Sequence, residues 1–128
     1  MKKLMILLLA VIMLTACGND NGKGREAVYM NITAAEAKEI MDSEEGYIIL
    51  DVRTQDEYSQ GHIPGAVLIP DTEIRAKAEK VLTDKDQRIL VYCRSGRRSK
   101  LASEILLELG YTNIWEFGGI MDWPYEVE

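Results

Sequence analysis

Apolar residues occur along the chain in two patterns: continuous runs, and stretches in which they recur at helical spacing. Tyr47–Val52 and Ile89–Tyr92 are continuous β-rich runs, which are typical of strands buried on both faces of a parallel sheet. Three further extended segments, 28–32, 66–69 and 111–117, complete a set of five predicted strands. Each lies between segments with helical or turn character.

Two of the intervening segments begin with the sequence of a capping box. A threonine, Thr33 or Thr54, is followed three residues later by glutamate, a pattern that closes the first turn of a helix. The apolar spacing of two later segments also predicts helices, the second closed by Gly110. The predicted helices span 33–41, 54–59, 72–82 and 99–109. Their apolar positions include Ala35, Val81 and Leu101, which are therefore expected to face the core.

Strands that alternate with helices through short connections indicate an α/β fold. The expected architecture is an open parallel sheet of about five strands with helices on both faces. The length of 128 residues suits one domain, and this domain is predicted to span 27–128.

The first residues carry a separate signal. Lys2 and Lys3 precede an apolar run, Leu4–Leu14, which is too short to cross a bilayer as a helix and is typical of an export signal. It ends in Leu-Thr-Ala-Cys17, which resembles the lipobox of bacterial lipoproteins. The resemblance implies a signal peptide, 1–16, and a lipid-modified N-terminus at Cys17. The alternatives are a secretory signal whose cysteine stays free, or a short cytosolic hydrophobic helix.

Residues 17–26 are predicted to tether the domain to the lipid, since 18–24 include no apolar residue. The expected location is thus a bacterial membrane, on the cell surface or the periplasmic side. The formal net charge of −6 becomes more negative when the two lysines of the signal are removed. This charge argues against nucleic acid as a partner and against electrostatic binding to anionic lipid. A monomer is the default expectation.

Cys93 is the candidate for chemistry. It ends a predicted strand and precedes a helix, and ligands of such sheets bind where strands deliver their C-terminal ends. Ser95 and Gly96 permit a tight loop whose backbone N–H groups can turn inward as an anion-binding concavity. Those groups and the helix N-terminus would favour a thiolate. The alternative is an inert core cysteine at the end of a strand.

Three cations, Arg94, Arg97 and Arg98, lie beside the start of the same helix. Cations at this end oppose the helix dipole, so an anion is expected to compensate them. The alternative is that all three are solvated surface charges. The convergence of thiol, glycine loop, helix start and cations favours a functional site.

The loop Cys93–Ser99 resembles the active-site loop of single-domain rhodaneses. Further segments match this family in the same order and extend the resemblance over Val28–Trp123. They are Asp51-Val52-Arg53, Glu57-Tyr58, Gly61–Ala66, Leu109-Gly110-Tyr111, and Gly118-Gly119 with Trp123.

The resemblance implies a rhodanese-like fold and an enzyme, a sulfurtransferase of the thiosulfate type. Cys93 would attack a small anionic sulfane donor, become a persulfide, and pass the outer sulfur to a thiol or cyanide. The backbone amides of the loop would cradle the persulfide, and its arginines would help to hold the donor. The residues of this predicted cradle are Arg94, Ser95, Gly96, Arg97 and Arg98. The chemistry requires no metal and no organic cofactor.

Three other matching residues are predicted to support the site. Asp51 and Arg53 are expected to pair and to tie the end of a strand to neighbouring loops; the alternative is substrate contact. His62 is the only histidine and stands between glycine and proline turns. It is expected to be a loop residue held by hydrogen bonds, with a catalytic base as the alternative.

Two other functions use a similar loop. Cysteine phosphatases and arsenate reductases place five residues between cysteine and arginine, whereas four separate Cys93 from Arg98. The shorter loop suits sulfur better than phosphate. The second alternative is a non-catalytic module that binds a partner or senses redox state through Cys93. The physiological donor and acceptor are not determined by the sequence.

Overall fold

The computed structural model describes residues 27–128, so the predicted signal peptide, the Cys17 lipidation site and the tether 17–26 lie outside the described residues. Within 27–128, no helix combines the length and apolarity that crossing a bilayer requires.

Five strands form a single parallel sheet in the order β1-β5-β4-β2-β3. In chain order, the strands are β1 Met30–Asn31, β2 Tyr47–Asp51, β3 Val67–Leu68, β4 Arg88–Cys93 and β5 Ile114–Gly119. The predicted parallel α/β fold is confirmed. β1 is shorter than the predicted segment 28–32, because it lies at the sheet edge and pairs with β5 at two positions only.

Four α-helices connect the strands: α1 Ala34–Ser43, α2 Gln55–Gln60, α3 Ile74–Val81 and α4 Arg97–Glu108. Both predicted capping boxes are present, with the Thr33 and Thr54 side chains accepting hydrogen bonds from backbone N–H groups three residues ahead. Gly110 ends α4 with a φ of +98°, as predicted. The N–H of Tyr111 bonds the carbonyl of Leu106 across this turn at 3.0 Å, which satisfies a carbonyl of the last helical turn.

Apolar layers cover both faces of the sheet, which explains the continuous apolar runs. Along β4, Ile89, Val91 and Cys93 face the layer built with α3 and α4, whereas Leu90 and Tyr92 face the layer built with α1. Burial of each fully enclosed Leu or Ile stabilises the fold by about 2 kcal/mol.

Three core assignments from the helical spacing were wrong. Ala35 is exposed, Val81 is 45% exposed and Leu101 is 47% exposed. Each lies on the solvent side of its helix. Other small or apolar residues of the same helices, such as Ala37 and Ala102, face the sheet instead. The spacing alone allows either of two adjacent helix faces to be buried, and contact with the sheet selects one of them.

Candidate functional site

Cys93 ends β4, and its side chain is enclosed by the loop that leads into α4. Gly96 has a φ of +107°, a conformation that glycine adopts without steric cost. This turn directs the Gly96 N–H at the Cys93 Sγ, with 3.0 Å between nitrogen and sulfur. The Ser99 Oγ lies 3.4 Å from the same sulfur. The loop predicted to form an anion-binding concavity therefore has its N–H groups turned inward.

This environment sets the protonation of the Cys93 thiol. Burial raises the pKa of the Cys93 thiol, since the side chain is 1% exposed. Hydrogen bonding with the Ser99 side chain and with the backbone N–H groups of Ser99, Gly96 and Ser95 outweighs burial, so the net pKa of Cys93 lies below its ordinary value. The arrangement thus favours a thiolate, the reactive form of cysteine.

The end of β5 holds the Cys93 loop in place from the other side. Cys93 is in register with Gly119, and the Met121 N–H bonds the Arg94 carbonyl at 3.1 Å. A Cβ on Gly119 would lie 2.0 Å from that same carbonyl oxygen. The loop conformation therefore depends on a residue without a side chain at position 119.

A cavity of about 360 Å³ lies beside the loop, and Arg94 belongs to both. Its wall combines charged and polar residues from the α2 region with apolar residues that follow β5. The lining residues are Arg53, Glu57, Gln60, Gly61, Arg94, Ile120, Met121 and Val127. A small charged molecule would meet a cation and an apolar wall at the entrance to the Cys93 loop.

The three arginines of the loop do not act as one group. Arg94 and Arg97 are exposed, as is Ser95. Arg98 instead donates two hydrogen bonds to the carboxylate of Glu57, at 2.8 and 3.0 Å. The anion expected to compensate the cations is, for Arg98, a side chain of the protein itself. Binding of a donor by Arg94 and Arg97 stays a prediction.

The Arg98–Glu57 pair makes stability depend on pH. Hydrogen bonds from Arg98 lower the pKa of Glu57 from 4.5 to about 2. A carboxyl group whose pKa is lower in the folded chain than in the unfolded chain stabilises the fold at pH values above its unfolded pKa. This contribution is lost as the pH falls from 4.5 toward 2. We expect Glu57→Gln to cost about 1 kcal/mol at neutral pH, after allowance for solvent screening, and to cost nothing near pH 2. Urea unfolding at a series of pH values measures the difference.

Glu36 offers a matched control, because it makes the same capping contacts at α1 as Glu57 makes at α2. The structure gives it no arginine partner comparable to Arg98. Glu36→Gln should therefore destabilise the chain less than Glu57→Gln at neutral pH. Equal losses would show that the ion pair contributes nothing beyond the cap.

Asp51 and Arg53 form a buried ion pair at the end of β2. The Arg53 Nη2 lies 2.7 Å from an Asp51 oxygen and 2.7 Å from the Gly61 carbonyl oxygen. The Tyr92 hydroxyl donates to the same Asp51 oxygen at 2.6 Å and accepts from the Ile63 N–H at 3.0 Å. The pair and Tyr92 thus tie β2 and β4 to the loop after α2. The apolar run predicted Tyr92 only as a strand residue, although a buried tyrosine hydroxyl requires a polar partner.

His62 lies in that loop. Its ring stacks on Tyr58 with 3.8 Å between centroids, and its Nδ1 lies 3.0 Å from the Tyr58 carbonyl oxygen. Its Nε2 is 3.4 Å from a carboxylate oxygen of Glu128. The two ring nitrogens therefore have neighbours in α2 and in the C-terminal segment. This arrangement is that of a residue that positions a loop.

Glu116, which was not among the predicted site residues, also lies at the site. It is completely buried in β5 and accepts a hydrogen bond from the Ser99 hydroxyl at 2.5 Å. Its position in an apolar strand carried no local signal beyond the charge itself. Among residues 27–128, no group of acidic, histidine or cysteine side chains is arranged to hold a metal ion.

Comparisons with known proteins agree on one family. The family model for the rhodanese-like domain matches residues 33–125. The chain is similar to thiosulfate sulfurtransferase PspE of Escherichia coli, with 41% identity over 73 residues, covering 57% of this chain and 70% of the relative. It is also similar to the putative sulfurtransferase YtwF of Bacillus subtilis, with 36% identity over 97 residues, covering 76% and 92%.

The fold has solved counterparts as well. The crystal structure of a rhodanese-related protein from Thermoplasma volcanium matches with a TM-score of 0.68 at 34% identity. The match covers 78% of this chain and 98% of that protein. The family match over residues 33–125 includes the Cys93 loop and the strands β2 to β5.

Proposed function

The chain belongs to the rhodanese-like domain family, and on that premise we propose that it is a sulfurtransferase that carries a sulfane sulfur on Cys93. The observation that carries the proposal is the loop geometry around the sulfur. A buried Sγ at the end of β4 accepts a hydrogen bond from the Gly96 N–H at 3.0 Å, in a loop built to hold negative charge.

The proposed first step uses thiosulfate as the donor. The Cys93 thiolate attacks the outer sulfur of thiosulfate, a sulfur–sulfur bond forms at Cys93, and the bond to the sulfonate sulfur breaks. Sulfite leaves with the electron pair, and the persulfide keeps a single negative charge on its outer sulfur. The inward N–H groups of the loop favour this charge as they favour the thiolate.

The second step returns the enzyme to its starting state. A thiolate or cyanide attacks the outer sulfur, and the electrons of the persulfide bond return to the Cys93 Sγ. In each step the electron pair of the broken sulfur–sulfur bond stays on the leaving sulfur, so neither step requires an external oxidant or reductant. The exposed Arg94, beside the cavity, is suited to attract the anionic donor.

The environment of Arg98 and Cys93 supports this function over the two alternatives. A cysteine phosphatase needs an arginine that encloses the oxyanion, whereas Arg98 makes both of its described hydrogen bonds to Glu57. A redox sensor that responds by closing an intramolecular disulfide needs a second thiol, and Cys93 is the only cysteine among residues 27–128.

Intact-mass analysis after incubation with thiosulfate tests the proposal. We expect the purified chain to gain the mass of one sulfur, about 32 Da, and to lose it when cyanide is added. Proteolytic mapping should place the added sulfur on Cys93. A folded chain with a free thiol that forms no adduct with thiosulfate or another sulfane donor would contradict the proposed function and favour a binding or sensing role.

A further inference from the structure

The cavity beside the Cys93 loop is larger than thiosulfate requires. Its volume of about 360 Å³ falls within the range of pockets that hold small organic molecules, roughly 300–1,000 Å³. Thiosulfate is a compact inorganic ion and would leave most of this volume to water. Three apolar side chains line the cavity, those of Ile120, Met121 and Val127, and they form its apolar wall. The cavity therefore has room for a hydrocarbon group as well as for an anionic head.

Two side chains of the apolar wall are largely open to solvent. Met121 is 61% exposed and Val127 is 50% exposed. Single exposed apolar residues are common on protein surfaces, but several that line one cavity mark a place where a ligand can bury apolar surface. Met121 is also flexible, and its thioether makes favourable contacts with the edges of aromatic rings. The wall is thus suited to a ligand with a hydrocarbon group, and to an aromatic one in particular.

Backbone hydrogen bonds hold the apolar wall in place. The Met121 N–H donates to the Arg94 carbonyl at 3.1 Å, which fixes Met121 beside the Cys93 loop. The His62 N–H donates to the Glu128 carbonyl at 3.0 Å, and the Glu128 N–H donates to the His62 carbonyl at 2.8 Å. Val127 precedes Glu128 in the chain, so these two bonds fix the backbone at Val127 against the loop after α2.

Arg94 brings a cation to the same cavity. Its side chain is exposed, whereas Arg53 and Arg98 pair with carboxylates of the protein. A guanidinium binds the oxygens of an anionic head group through charge-assisted hydrogen bonds. A ligand that uses every feature of the cavity has a sulfane sulfur for Cys93, anionic oxygens for Arg94 and a hydrocarbon group for the apolar wall.

We propose that the apolar wall is a subsite for the hydrocarbon group of an organic thiosulfonate donor, with Met121 and Val127 as its specificity-determining residues. The inference rests on the proposed sulfurtransferase function. An organic thiosulfonate is thiosulfate with a hydrocarbon group in place of one oxygen, so it offers the same sulfane sulfur to Cys93.

The chemical step is the one proposed for thiosulfate, with a different leaving group. The Cys93 thiolate attacks the terminal sulfur of the donor, a sulfur–sulfur bond forms, and the bond to the sulfonyl sulfur breaks. An organic sulfinate leaves with the electron pair. Persulfide and sulfinate each carry one negative charge, as thiolate and donor did. Displacement at sulfur is in line, so the hydrocarbon group lies on the side away from the buried Cys93 Sγ, toward the surface that carries the cavity.

Steady-state kinetics with two donors test the proposal on the full chain. Benzenethiosulfonate and methanethiosulfonate have the same head group and the same charge, and they differ in the size of the hydrocarbon group. With cyanide as acceptor, thiocyanate production gives kcat/KM for each donor after subtraction of the rate without enzyme. The measured quantity is the donor ratio, kcat/KM for benzenethiosulfonate divided by kcat/KM for methanethiosulfonate. Differences in intrinsic reactivity cancel when this ratio is compared between variants.

Met121→Gln should lower the donor ratio by about tenfold, because an amide replaces the apolar contact that the larger donor makes. Val127→Thr keeps the shape of the side chain and adds a hydroxyl, and it should lower the ratio in the same direction. Both side chains are exposed, so we expect both variants to fold. A change that only displaced the Cys93 loop would lower kcat/KM for both donors by the same factor and leave the ratio unchanged.

Leu101→Gln and Val81→Thr are the matched controls. They introduce the same polar side chains at positions that are 47% and 45% exposed, on the solvent sides of α4 and α3. Neither residue lines the cavity, so neither variant should change the donor ratio.

The outcomes separate the subsite from the proposed function. A donor ratio that falls in Met121→Gln and Val127→Thr but not in the two controls supports the proposal. A ratio that is unchanged or raised in either variant of the wall, or that falls equally in its control, overturns the subsite even in a chain that transfers sulfur from thiosulfate. A chain that transfers sulfur from no donor, thiosulfate included, overturns the sulfurtransferase function and the subsite with it.

Discussion

Cys93→Ser is expected to lower cyanide-dependent sulfur transfer from thiosulfate by about four orders of magnitude or more. The serine oxygen would occupy nearly the same place as the Sγ and would still accept from the Gly96 N–H. A serine hydroxyl is not ionised at neutral pH and is a poor nucleophile toward sulfur, so the persulfide cannot form. Thiocyanate production measures turnover, and thermal unfolding verifies that the variant is folded.

Cys17→Ser is the matched control for this change, because it replaces the chain's other cysteine in the same way. We expect the purified variant to keep the turnover of the parent chain, since the proposed chemistry uses Cys93 alone. Turnover that survives in Cys93→Ser would remove Cys93 from its proposed role as the carrier of sulfur. Turnover that is lost in both variants would show that the chemistry does not use Cys93 alone.

Gly119→Ala is expected to cost about 3 kcal/mol of folding stability and most of the activity. The added Cβ would lie 2.0 Å from the Arg94 carbonyl oxygen and 2.6 Å from the Ser95 Cα, and both atoms belong to backbone that cannot rotate away. The Cys93 loop must therefore move. Its N–H groups would no longer point at the sulfur, so thiolate formation and persulfide formation should both weaken. Urea unfolding and thiosulfate turnover measure the two effects.

The neighbouring Gly118 separates this steric effect from the general cost of replacing glycine. A Cβ at Gly118 meets nothing within 4 Å, but the residue has a φ of +91°. Gly118→Ala should cost about 1 kcal/mol through backbone strain, with the loop in place and most of the turnover retained. If Gly118→Ala were as harmful as Gly119→Ala, close packing against the Cys93 loop would not be the cause.

Much of the fold could be predicted because its signals are local. The threonine and glutamate of each capping box are three residues apart, and Gly110 ends α4 through contacts within one turn. The two apolar runs predicted strands covered on both faces. The errors arose where a local pattern allows two outcomes, as at Val81 and Leu101, whose helices could present either of two adjacent faces to the sheet.

The sequence by itself determined the parallel α/β class, the starts of α1 and α2 at their capping boxes, and the position of Cys93 at the end of a strand, before a glycine turn and a helix. These features depend on residues close together in the chain. Only the tertiary structure decided that Arg98 pairs with Glu57, that Tyr92 bonds Asp51, and that Ser99 bonds Glu116. Each pair joins different elements, and the sheet order β1-β5-β4-β2-β3 brings these elements together. A single sequence carries no local signal of that order, because hydrophobic periodicity specifies which face of a strand is buried and not which strand lies beside it.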